Sequence, residues 1–170
     1  MALAFRCIES VVVEYFAHVG SYKKEAIVYS SFEAVGIVTA LAMESEYSSW
    51  SLAEVKEYIM PALISGQFKI YVEGDDKPFA FVSWALVDDE CHKILLESGQ
   101  NPPSDRWSSG CNLWFIDVVA PFGGVLHIIR DMQRSQFSKY GRAHSIKRKP
   151  DGSVHRVKVW RNALVQRQQG

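Results

Sequence analysis

Asp117 is the residue best placed to do chemistry in this chain, because it sits inside an apolar run, Leu113-Trp114-Phe115-Ile116-Asp117-Val118-Val119. A buried carboxylate is costly unless paired or hydrogen-bonded, so an aspartate here calls for a specific role. Two roles are open: assisting a base in catalysis, or tying the strand to turn amides or an arginine. After the run, Ala120-Pro121-Phe122-Gly123-Gly124 ends the strand. A Gly-Gly pair at a strand-to-helix turn can aim backbone N–H groups at a carbonyl or phosphate oxygen, although turn geometry alone also calls for glycine. Tyr47 and Trp50 read first as packing residues. His92 and His127 read as surface or helix-face residues, and His127 is close enough to the turn to face the same cleft. Cys111, just before the strand, fits a partly buried small hydrophobe better than a reactive nucleophile.

Three cysteines, Cys7, Cys91 and Cys111, are an odd count without metal-ligand spacing. They imply a reducing compartment, so a cytoplasmic protein with no metal is expected. The composition is 48% hydrophobic and 22% charged over 170 residues, which excludes disorder and fits one ordinary domain. No apolar run approaches the roughly 20 residues of a bilayer span. The N-terminal stretch carries Arg6 and Glu9 and no small-residue cleavage site, so no secretory signal is expected.

A net charge of zero conceals an asymmetry. Residues 1–127 hold 8 Lys+Arg against 17 Asp+Glu, a net of −9, and residues 128–170 hold 11 against 2, a net of +9. The basic part includes Lys147-Arg148-Lys149 and is interleaved with Phe137, Tyr140 and Trp160. An acidic protein partner, or pairing with the acidic part of the same chain, ranks ahead of nucleic acid, since no nucleic-acid motif accompanies the charge.

These residues need elements to hold them. For residues 4–17 helix and strand are both open, and 25–30 read as extended. Ser31-Phe32-Glu33 resembles a helix start, followed by Val35, Val38, Leu41 and Ala42 on one face. Ser51-Leu52-Ala53-Glu54 matches a capping box, with Leu52, Val55, Tyr58 and Ile59 pointing one way and Pro61 near the helix end. Residues 67–72 and 79–85 form a hairpin around a Gly/Asp-rich turn. Residues 88–98 favour a helix, 99–110 a loop, and 113–119 a strand near the sheet centre. A helix follows Gly124 with Val125, Ile128, Ile129 and Met132 as its apolar face, and 143–160 form a hairpin around Pro150-Asp151-Gly152. The expected fold is α/β, a single domain with one mainly antiparallel mixed sheet flanked by helices.

From about residue 35 to 160 the sequence resembles the toxin-activating lysine acyltransferases, which fatty-acylate the protoxins of RTX cytolysins. The resemblance is carried by Leu113 to Gly123, by Pro78-Phe79-Ala80-Phe81-Val82-Ser83-Trp84-Ala85, by Ile59-Met60-Pro61-Ala62-Leu63 with Gln67-Phe68, and by Trp107-Ser108-Ser109-Gly110, in the family's order and approximate spacing. It implies a GNAT-like fold over residues 31–170, with 1–30 as an extension. It also implies transfer of an acyl group from acyl-acyl carrier protein, as co-substrate, to a lysine of a protein acceptor, without a resident cofactor. Asp117 matches the family's catalytic aspartate. The family's Trp corresponds to Trp50, which lies 11 residues before Pro61, and its catalytic His then falls on Tyr47; no histidine occurs between His18 and His92.

Trp114, Phe122, Gly123 and Gly124 are the expected substrate contacts, and Lys147, Arg148 and Lys149 the expected contacts to the carrier or another acidic protein. A homodimer is a further expectation. A phenol, with a reference pKa of about 10, does not simply replace imidazole as a base at neutral pH. Glu44, Glu46 and His18 are the alternative bases. The second functional expectation is therefore an inactive scaffold that binds or inhibits a partner.

Overall fold

The structure, a computed structural model, describes residues 11–13, 27–73, 77–148 and 154–166. Two short strands, β1 (Val11–Val13) and β2 (Ile27–Tyr29), pair antiparallel ahead of helix α1 (Ser31–Met43). The cap of α1 is Ser30, one residue earlier than expected. The Ser30 hydroxyl accepts from the Glu33 amide, and the Glu33 carboxylate accepts from the Ser30 amide. The reason is spacing: a capping box needs its serine three residues before the acid, and only Ser30 satisfies that. Ser51 and Glu54 form the same box at α2 (Leu52–Tyr58).

The chain does not run straight through Pro61. Proline, which lacks an N–H and fixes φ, instead occupies the first turn of a separate helix, α3 (Met60–Ser65). Ile59, at the junction of the two helices, is buried, while Leu52 at the start of α2 is 84% exposed and leaves the face assigned to it.

The sheet follows the expected segments. It contains β3 (Phe68–Glu73), β4 (Lys77–Val87), β5 (Asn112–Val119), β6 (Arg142–Arg148) and β7 (Val154–Arg161), hydrogen-bonded in that order. All neighbours are antiparallel except β5 and β6, which are parallel and joined by helix α5 (Val125–Arg134). The turn between β6 and β7 lies outside the described residues, as do Cys7 and His18. A further helix, α4 (Asp89–Glu97), links β4 to the loop before β5, and α6 (Ala163–Gln166) follows β7.

Helices α1, α3 and α4 cover one face of the sheet. Their buried residues, including Val38, Leu63 and Leu95, pack with Phe81 and Trp114. On the other face α5 contributes Ile128, Ile129 and Met132, which pack with Val82, Trp84 and Phe115. The result is an α/β fold with a five-stranded mixed sheet flanked by helices, compatible with the GNAT-like expectation.

Candidate active site

Asp117 owes its orientation to an irregularity in β5. Ser83 of β4 faces Asp117 and the next residue, Trp84, faces Phe115, so Ile116 is an extra residue in the ladder. Before the bulge, β5 alternates regularly: Leu113 and Phe115 face α5, and Trp114 faces α1. After it, Val118 lies on the α5 side and Val119 on the α1 side, so Ile116 and Asp117 both fall on the α1 side. There Asp117 is only 9% exposed, opposite the fully buried Ser83. The Ser83 hydroxyl accepts from the Asp117 amide at 3.1 Å and donates to Oδ2 at 3.5 Å. The Ser83 hydroxyl satisfies part of the hydrogen-bonding demand of a buried carboxylate.

Tyr47 lies in the turn between α1 and α2. Its ring packs on Trp50 at a centroid distance of 4.4 Å, and Trp50 packs on Tyr58 at 5.4 Å. Both Tyr47 and Trp50 pack against the core on the α1 side. Opposite this turn, a cleft of about 370 Å³ is lined by Glu44, Glu46 and Tyr47 on one wall and by Val118, Val119 and Pro121 on the other. Residues 44–47 thus meet the strand segment immediately after Asp117. Glu44 and Glu46 are exposed, and His127, though exposed, does not line the cleft.

The other expected contacts are distributed as follows. Gly123 and Gly124 have φ of 90° and 82°, left-handed values that favour glycine, and Gly124 caps α5 without a side-chain hydrogen bond. Phe122 is 63% exposed beside them. Trp114 is fully buried; its Nε1–H donates to His92 Nδ1 at 2.9 Å and its ring stacks on His144 at 5.0 Å. Lys147 is exposed on β6, the Arg148 backbone ends that strand, and Lys149 lies outside the described residues.

Two residues differ from their expected settings. Cys111 is exposed rather than partly buried, because it stands in the bend before β5 begins. His92 is not a simple surface residue: with Trp114 and His144 it forms a three-ring cluster, the two imidazole centroids 5.0 Å apart. His144 Nδ1 is buried without a hydrogen-bond partner. Burial first, then His92 and Arg142, push the His144 pKa down, partly offset by a hydrogen bond to the Leu113 backbone. No motif flagged His144, since its neighbour is fixed by the β5–β6 pairing.

The loop before β5 is pinned at Asp88. The Cys91 amide, Ser109 and Arg106 hold the Asp88 carboxyl well below the usual carboxylate range. Arg106 Nε donates to it at 3.0 Å. Among the described residues, no group of three or more His, Cys, Asp or Glu could hold a metal ion, and no helix is long and apolar enough to cross a membrane.

A mixed sheet with a buried aspartate beside a strand-end cleft defines an α/β protein, and comparison with known proteins gives the family. The model of the RTX toxin acyltransferase family matches residues 27–161, and the chain belongs to that family. It is 35% identical over 107 residues to the leukotoxin-activating lysine-acyltransferase LtxC of Aggregatibacter actinomycetemcomitans, covering 62% of this chain and 63% of LtxC. It is 29% identical over 137 residues to the RTX-I toxin-activating lysine-acyltransferase ApxIC of Actinobacillus pleuropneumoniae, covering 80% of this chain and 78% of ApxIC. An uncharacterized Synechocystis protein is 28% identical over 102 residues, covering 59% of this chain and 69% of that protein.

Proposed function

We propose that the protein moves a fatty acyl group from acyl carrier protein to a lysine of a protein acceptor, with its chemistry altered by Tyr47 at the position of the family's histidine. The observation that carries this reading is the cleft, in which Tyr47 faces the strand segment following Asp117. Thioester-to-amine transfer must remove a proton from an ammonium and stabilise an oxyanion. Asp117, held by Ser83, is suited to orient a base rather than to reach into solvent itself. The Gly124 amide at the start of α5 can be offered to the oxyanion, whereas the Gly123 amide donates to the Ala120 carbonyl at 3.0 Å. The missing part is the base, since none of the histidines in the described residues lines the cleft.

A positioned base contributes roughly 10²–10⁴-fold in rate. With acyl-acyl carrier protein and a generic RTX acceptor, intact-mass spectrometry should therefore detect little or no lysine acylation by the wild type. Tyr47→His should raise the rate by about 10²-fold or more, and adding Asp117→Asn should abolish the gain. Fast wild-type transfer would overturn the loss of the base and turn attention to Glu44, Glu46 and His18. The absent histidine also favours a second reading, a non-catalytic scaffold that sequesters or inhibits a partner. A folded Tyr47→His variant that still transfers nothing would favour that scaffold.

A further inference from the structure

The geometry points to a docking face for an acidic carrier protein on the β6–β7 hairpin, built from Lys147, Arg156, Lys158 and Trp160 rather than from the contiguous run 147–149. The inference rests on the carrier being the acyl donor, as proposed above.

Strand alternation selects these residues. Ala143 and Trp160 belong to the core on the α5 side, and the Trp160 Nε1–H donates to Ser145 Oγ at 2.9 Å, so residues 143, 145 and 147 share a face with 160, 158 and 156. Lys147 stands directly opposite Arg156, and Lys158 stands opposite Ser145. Like charges directly across a strand pair destabilise it, so the pairing is unfavourable until an anion arrives. Lys158 Nζ lies 3.4 Å from the Trp160 ring centroid, which holds the ammonium in place. Lys147 and Arg156 are exposed, and among the described residues neither they nor Lys158 form a salt bridge.

Among the described residues, internal ion pairs do not neutralise these charges. Among the described residues, the one ion pair joining residues 1–127 to 128–170 is Lys69 with Asp131, whose signs are the reverse of the overall asymmetry.

Placement supplies the second argument. Because β5 and β6 are parallel, with Trp114 beside His144, Lys147 lies at the same end of the sheet as Val118 and the cleft. The far wall of that cleft carries Glu44 and Glu46. The basic face thus lies at the cleft end of the sheet on the α5 side, while Glu44 and Glu46 stand beside Tyr47, which packs on the α1 side; that end meets opposite signs from its two faces, the basic one suited to an acidic carrier. A second copy would set the same cations against each other. Single-stranded nucleic acid would need successive stacking platforms, whereas this face offers Trp160, already covered by Lys158.

The test measures binding of purified apo acyl carrier protein by titration calorimetry at several salt concentrations. Three proteins are compared: wild type, K147E/R156E/K158E, and a control with the same change in net charge elsewhere, K56E/K93E/K139E. The hairpin variant should weaken binding by about tenfold or more, the control by less than about threefold, and wild-type affinity should fall as salt rises. Melting curves check folding, and if the Glu variant does not fold, K147Q/R156Q/K158Q replaces it. Equal loss in hairpin and control variants would overturn the docking face while leaving carrier binding intact. A wild type that ignores the carrier would overturn the proposed donor and the occupant together. A short single-stranded oligonucleotide that binds more tightly than the carrier would overturn the choice of a protein.

Discussion

The β4–β5 seam and the β5–β6 seam hold the same strand from its two sides, and they are built differently. β4 and β5 pair from Phe81 opposite Val119 to Val87 opposite Asn112, with buried aromatic residues on both faces. β5 and β6 pair only at Trp114 with His144 and at Phe115 with Ser145, and then the register ends. Asp117 thus sits on a strand fixed firmly on one side, while the basic hairpin hangs from a narrow join. Rigid elements suit a group that must be placed to within a fraction of an ångström, whereas a docking surface tolerates more give.

The largest expected effect lies at the wide seam. Phe81 is fully buried, with its ring 5.9 Å from Phe68, and Phe81→Ala should cost about 3–5 kcal/mol by urea denaturation. A loss under about 1 kcal/mol would end the claim that this seam is the more tightly built half.

A smaller effect should appear at the narrow seam when it is acidified. The folded-state pKa of His144 is depressed, so the unfolded chain takes up a proton first as pH falls below about 6.5. The contribution from His144 is fully present above that pH and is lost as pH falls through the window down to the folded pKa. Melting temperature measured from pH 7.5 to 5 should drop more steeply for wild type than for His144→Gln. Identical slopes would show that the seam does not respond to this proton.

The smallest effect is expected on the outer hairpin. Val159 is 47% exposed, and Val159→Thr should change stability by no more than about 0.5 kcal/mol. A large loss there would mean that the hairpin is packed as firmly as β4 and β5.

The sequence disclosed local features better than long-range ones. The box at Ser51, the alternation in residues 67–72 and the apolar run around Asp117 each carry a local signature, and each became the expected element. The parallel β5–β6 pairing has no such signature, because it depends on how α5 carries the chain back across the sheet. The His92–Trp114–His144 cluster was hidden for the same reason: three separate elements create it. Leu52 misled because it opens a seven-residue helix in which no residue is buried, so apolar spacing there does not mark a covered face. For the candidate site, Asp117 was legible from the cost of burying its charge. Ser83 looked like an ordinary polar residue in a hairpin, since only the bulge brings it opposite the carboxylate.

That bulge works as a frameshift in the two-residue reading frame of β5. Remove Ile116 and the ladder with β4 becomes regular, a gain for the sheet taken alone. Straightening the bulge with Ile116 kept would instead give Asp117 the parity of Leu113 and Phe115 and send its carboxylate into the apolar layer beneath α5, away from the cleft and from Tyr47. Position along this strand is therefore specified by count as much as by residue type. A change that straightened the strand at Ile116 without removing a residue would turn the site away even with every side chain still present.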